Sequence, residues 1–207
     1  LGAGGGDTFT VGDLFQTELK VLNLDLGPAD AAQDFVTLNG RNVADSVSIL
    51  SPGAGALAVT GLRYDVNLSS IALADSDDFT FNANDGNDLV KTADDLSALF
   101  ASSNVLANNH FTIDGGAGDD NISSYGRLLG GDGNDTLTGF TSGTLTNFAQ
   151  IIDGGNGNDL LTGGTGLDAL SGGAGDDTFV PGYDLQNDTI DGGTGFDTIL
   201  VTGTLAN

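Results

Sequence analysis

The chain contains no cysteine, no methionine and no tryptophan. Disulfide cross-links and thiolate metal centres are thereby excluded. With His110 as the single imidazole, zinc and copper are poorly served as well. Basic residues are scarce: Lys20, Arg41, Arg63, Lys91 and Arg127 are all there are, and none follows Arg127. The net charge is -24 over 207 residues. Nucleic acid is excluded as a partner on that ground, because phosphate binding needs a basic surface. No apolar run approaches the roughly 20 residues that span a bilayer, so no membrane insertion is expected. No secretory leader pattern is visible. Neither a His-Glu-x-x-His zinc motif nor a Gly-x-Ser-x-Gly elbow occurs.

What is abundant is glycine, 34 residues of it, and aspartate, which supplies all the acidic charge except that of Glu18. Self-repulsion on this scale opposes a compact state unless the chain is disordered or bound cations neutralise it. Apolar residues recur at a fixed phase behind each Gly-Asp turn, which a solvated linker has no need to maintain. The expectation is a chain that is loose without cation and folded with it.

Six stretches obey one nine-residue rule, Gly-Gly-x-Gly-x-Asp-x-apolar-x. They start at Gly115, Gly130, Gly154, Gly163, Gly172 and Gly192. Glycines at positions one, two and four permit the positive φ and close backbone approach of a tight turn. Carbonyl oxygens can then point to one centre, and position six adds a carboxylate. Positions seven to nine form a short strand with the middle residue inward. An all-oxygen donor set of irregular, high coordination suits calcium better than magnesium. The candidate ligands are the position-six carboxylates Asp120, Asp135, Asp159, Asp168, Asp177 and Asp197. With them come the first-position residues Gly115, Gly130, Gly154, Gly163, Gly172 and Gly192, and the third-position residues Ala117, Asp132, Asn156, Thr165, Ala174 and Thr194. Asp114, Asp153 and Asp191, immediately before Gly-Gly, and Asp188 complete the set.

One loop supplies too few ligands. If two nonapeptides make one turn of a coil, Asp159 lies beside Asp177, Asp168 meets Asp188, and Asp177 meets Asp197. A cation is then shared between successive turns. The nonapeptide resembles the calcium-binding repeat of RTX proteins. That resemblance implies an all-β fold, a right-handed parallel β-roll (a β-solenoid), over about 111–201, with several Ca2+ ions. It also implies export by type I secretion and folding outside the cell.

Residues 1–108 read as an irregular β-rich region, a degenerate solenoid, and 109–207 as the calcium-binding β-roll. Alternation in 7–11, 21–26, 45–50 and 56–62 predicts half-buried strands, punctuated by turns at Asn39-Gly40, Pro52-Gly53 and Asp85-Gly86. A second repeat appears at an offset of 43, where Asp34–Val47 aligns with Asp77–Val90. Turn-making alone accounts for the worn sites around Asp7, Asp45 and Asp88 as well as metal does. A short helix is predicted at 92–101, with Thr92 as its cap and Leu96, Leu99 and Phe100 on one face.

The functional expectation is a calcium-dependent, non-enzymatic structural module of a secreted bacterial surface or matrix protein: a surface layer, adhesin or fibre. Both ends look uncapped and the chain enters on a partial repeat (Gly2–Thr10). It therefore reads as an internal piece that continues into adjacent repeats or self-associates head to tail. The alternative is the folding and secretion module of a larger exported protease, lipase or epimerase with its catalytic domain elsewhere. Catalysis by the solenoid itself is a third reading, weakened because most paired carboxylates sit at phases that turns and metal already explain.

Overall fold

The computed structural model describes residues 5–14, 18–27, 32–71, 77–93, 96, 110–140, 149–182 and 187–201. Numbered along the chain, the strands divide between two sheets. The first sheet holds eight, in the order β1 (Thr8–Val11), β3 (Phe35–Asn39), β7 (Asp78–Asn82), β9 (Phe111–Ala117), β11 (Arg127–Asp132), β13 (Ile151–Asn156), β15 (Ala169–Ala174) and β17 (Thr189–Thr194). The second holds ten: β2 (Val21–Asp25), β6 (Asp65–Ser69), β5 (Ala56–Thr60), β4 (Ser46–Gly53), β8 (Leu89–Thr92), β10 (Asn121–Ser124), β12 (Thr136–Gly139), β14 (Leu160–Thr162), β16 (Thr178–Val180) and β18 (Thr198–Ile199). Every coil after β6 gives one strand to each sheet, and each strand pairs in parallel with its counterpart in the next coil. This is the expected parallel β-roll. Among the described residues there is no helix.

The core follows from strand alternation. Inward side chains of the first sheet form one stack: Val36 and Leu38, Phe79 and Phe81, Phe111 and Ile113, then Leu128, Ile152 and Leu170. Val47, Ile49, Val90, Ile122, Leu137, Leu161 and Phe179 face them from the second sheet. Each such burial is worth roughly 1.5–3 kcal/mol. A coil of this kind offers only two to four of them, so stability accumulates through neighbours rather than within a turn.

The repeat at offset 43 proves to be physical stacking. Thr37 pairs with Thr80 and Asn39 with Asn82 in the first sheet, and Val47 with Val90 in the second. Both sheets run from residues before 108 into those after 109, through the pairs β7–β9 and β8–β10. One departure from the solenoid was not anticipated: β4, β5 and β6 form an antiparallel meander, which pushes β2 two strands outward in the second sheet. The turn between β4 and β5 falls on Ala54-Gly55, because Pro52 and Gly53 still belong to β4. Thr92 ends strand β8, opposite Ile49. Of the helix expected at 92–101, residues 94–95 and 97–101 lie outside the described residues.

Candidate metal centre

Five of the six nonapeptides lie on one flank of the coil, each joining a strand of the first sheet to one of the second: β9 to β10, β11 to β12, β13 to β14, β15 to β16, and β17 to β18. The second glycine of these turns takes the positive φ that the motif requires, for instance 111° at Gly131 and 101° at Gly155. Its own strand then stays in register while the chain turns back.

The position-six aspartates form a ladder along this flank. The main-chain amide of each donates to Oδ1 of its counterpart in the next turn: Asp88 to Asp120 (2.7 Å), Asp120 to Asp135 (2.8 Å), Asp135 to Asp159 (2.8 Å), Asp159 to Asp177 (2.9 Å) and Asp177 to Asp197 (3.1 Å). Asp45 begins the row by donating to Asp88 at 2.6 Å. The sequence separations are 43, 32, 15, 24, 18 and 20 residues, so the ladder holds although the coils differ greatly in length. The expected pairs Asp159–Asp177, Asp177–Asp197 and Asp168–Asp188 are all present, the last at 3.0 Å on the opposite flank.

The second carboxylate oxygen behaves differently. Oδ2 of Asp88, Asp120, Asp135, Asp159 and Asp177 is buried with no hydrogen-bond partner. Burial pushes the carboxyls of Asp88 and Asp120 up to about 6 and that of Asp135 up to about 7. Neighbouring aspartates add to the rise, and the main-chain donor of the ladder opposes it. Asp159 and Asp177 are raised for the same reasons. A buried acceptor without a donor is costly, and a buried carboxylate more so.

These oxygens share a cradle with main-chain carbonyls. A methyl group on Gly115 would overlap Oδ2 of Asp120 and the carbonyl oxygen of Gly130, the latter at 2.6 Å. The same pair recurs at Gly130 (Asp135 and the Gly154 carbonyl), Gly154 (Asp159 and the Gly172 carbonyl, 2.7 Å) and Gly172 (Asp177 and the Gly192 carbonyl, 2.6 Å). Only glycine leaves this space open to a carboxylate and a carbonyl of the following turn. Among the described residues no three acidic or histidine side chains gather at one point. Any cation here therefore takes main-chain oxygens beside its carboxylates, a donor set that fits a hard divalent ion and calcium in particular.

Other candidates stand elsewhere. The third-position carbonyls of Ala117, Asp132, Asn156, Ala174 and Thr194 each accept the amide of a fourth-position glycine in the preceding turn, such as Gly118 to Asp132 at 2.7 Å. Asp114, Asp153 and Asp191 fall in one outward row of the first sheet, interrupted by Leu129 and Ser171. Asp191 closes its own turn by accepting from the Gly193 amide at 3.2 Å. The copy at Gly163 lies on the opposite flank. There Oδ2 of Asp168 accepts from the Gly164 amide at 2.7 Å. In place of a neighbouring carbonyl, the amide nitrogen of Gly182 stands 3.3 Å from where a Gly163 methyl would be. A donor thus faces the space where the other turns present an acceptor.

Sequence reading missed a second ladder, at position five. Side-chain oxygens of Asn87, Asp119, Asn134, Asn158 and Asp176 accept the amides of Asp119, Asn134, Asn158, Asp176 and Phe196 in turn, at 2.8–3.1 Å. Its signal was in plain view: Asn or Asp precedes the aspartate in GND or GDD at each of these turns except the last.

A parallel β-solenoid whose stacked turns gather carboxylate and carbonyl oxygens in a row belongs to the class of cation-binding β-rolls. Residues 112–126, 127–141, 146–181 and 184–200 match the model of the RTX calcium-binding nonapeptide repeat in four copies, so this part of the chain is built of RTX repeats. The repeats point to a calcium-binding structural module. No curated protein matches the chain.

Proposed function

We propose that the chain is a structural module that completes its fold by binding calcium in four cradles between successive turns. The ligands of each are Oδ2 of one aspartate (Asp120, Asp135, Asp159 or Asp177) and the first-position carbonyl of the following turn (Gly130, Gly154, Gly172 or Gly192). The observation that carries this reading is the row of buried Oδ2 atoms without partners, each beside a carbonyl oxygen. Two like-signed groups that face one buried space are unfavourable unless a cation lies between them. Asp88 also has an unpartnered Oδ2, but Ala83 stands at the first position of its turn, with a methyl where the four cradles have none.

Sites made of one or two carboxylates and neutral carbonyls are weak and fill at millimolar calcium. This supports a module that stays loose inside a cell and folds in the extracellular medium or at a cell surface. The last described coil exposes Phe196, Ile199, Leu200 and Val201, with Phe196 at 87 %. That edge is our candidate for the addition of further coils or of a second copy, as in a fibre or surface layer.

Calcium titration of the full chain, followed by circular dichroism, tests the main reading. The expected result is a cooperative gain of β structure with four ions bound. An unchanged spectrum up to 10-fold above millimolar calcium would sink it, and particle size measured alongside decides the question of assembly.

A further inference from the structure

The first carboxylate of the ladder differs from those that follow. Asp45 has its side chain fully buried, yet neither oxygen lacks a partner. Arg41 supplies both. Its Nε donates to Oδ1 at 2.7 Å, its Nη2 donates to the same oxygen, and its main-chain amide donates to Oδ2 at 2.8 Å. Gly40 stands at the first position of this turn, and a methyl there would meet the Ala83 carbonyl oxygen at 2.8 Å and Asp45 Oδ2 at 3.0 Å. The carbonyl and carboxylate of the four downstream cradles are therefore present here too. What has changed is position two, where the nonapeptide has glycine and this turn has Arg41, and position four, where Val43 replaces glycine.

We infer that Arg41 is a built-in cation: in the first turn of the ladder its guanidinium neutralises the carboxylate that calcium neutralises in the later turns. A guanidinium cannot dissociate as an ion does and stays charged at any working pH. The Asp45 turn is thus neutralised at every calcium concentration, and the coils β3–β4 and β7–β8 stack on each other without metal. They give the calcium-dependent coils a formed surface on which to add, which a one-dimensional array needs for each new turn to bury its core residues. The inference rests on the four-cradle reading for what happens downstream but makes a separate claim about Asp45.

Equilibrium dialysis of radioactive calcium against the full chain separates the two. Loss of all binding in the wild type defeats the four-cradle reading. For the inference, Asp45→Asn is expected to leave the calcium count of the wild type unchanged, and Arg41→Gly, which restores the position-two glycine and removes the guanidinium from Oδ1 while the main-chain amide of residue 41 stays on Oδ2, to raise it by one. Hydrogen exchange in calcium-free buffer supplies the second readout: β3, β4 and β7 are protected in the wild type and lose at least 10-fold of that protection in Arg41→Gly, while Arg41→Lys retains most of it. A lower calcium count in Asp45→Asn overturns the inference, because Asp45 would then already be a ligand. Equal protection of β3 and β4 with and without Arg41 overturns it as well.

Discussion

The amide of Asp135 donates to Oδ1 of Asp159 at 2.8 Å, while Oδ2 of Asp135 is buried without a partner beside the carbonyl of Gly154. One aspartate thus does two things: its backbone and Oδ1 tie turns together as neutral structure, and its Oδ2 leaves a charge to be met from outside. Folding and ion binding are coupled through a single side chain.

Asp135→Asn separates these roles. The amide oxygen can still accept the ladder bond from Asp120, but the cradle loses its negative charge. We expect one ion fewer per chain and a calcium midpoint raised by about 10-fold or more, roughly 1.4 kcal/mol. Asp132→Asn, at an exposed third position of the same turn, is the control and leaves the midpoint within about twofold. Calorimetric titration reads both.

The carboxyls of Asp88, Asp120 and Asp135 stand at about 6, 6 and 7 in the folded chain, against about 3.9 in an unfolded one. Between those values the folded, calcium-free chain binds more protons than the unfolded chain. These groups therefore contribute stability that is fully present below about pH 4 and lost as the pH rises through 6 to 7. The urea midpoint in resin-stripped, calcium-free buffer should be higher at pH 5 than at pH 7.5. Saturating calcium should reverse the order, because protons then compete for its ligands. A calcium-free midpoint that rises with pH would contradict the burial of these carboxyls.

The second ladder predicts a stability effect without a binding effect. Asn134 accepts the Asn158 amide at 2.8 Å and donates through Nδ2 to Asp119 at 3.3 Å, both in exposed positions. Asn134→Ala is expected to lower unfolding stability at saturating calcium by about 0.5–1.5 kcal/mol, the worth of an ordinary hydrogen bond. The number of ions bound should not change. Chemical denaturation and calcium counting together check this.

Much of this arrangement was legible in the residues because a solenoid converts sequence repetition into spatial stacking. The fixed offset of 43 placed Asn39 on Asn82, and the phase of the nonapeptides placed Asp159 on Asp177. Three things were not legible. The meander β4–β5–β6 has the same alternation as a solenoid strand, and periodicity does not report whether a strand turns back antiparallel. The copy at Gly163 satisfies the nonapeptide rule in full and lies on the opposite flank, as two nonapeptides per turn require, but what faces it there was not legible. There Gly182 approaches with an amide nitrogen, so its surroundings and not its own residues set it apart. Arg41 reads in isolation as a surface charge, and only the fold shows that it closes on Asp45.

The glycines at position one give the sharpest test, because the same substitution has opposite expectations in two copies of one motif. In Gly130→Ala the new methyl falls on Oδ2 of Asp135 and the Gly154 carbonyl, filling the space assigned to the ion. The coil itself tolerates a methyl there, as Ala83 at the same position of its turn demonstrates by being fully buried. The variant should therefore fold at saturating calcium with one ion fewer and a raised midpoint. In Gly163→Ala the methyl meets Asp168 Oδ2 at 2.9 Å and the Gly182 amide nitrogen at 3.3 Å, contacts that a shift of a few tenths of an ångström relieves. With Oδ2 of Asp168 already satisfied by Gly164, no ion is displaced and the count should equal that of the wild type. Loss of one ion in both variants would show that the copy at Gly163 binds calcium after all, and that the bond from Gly164 yields to it.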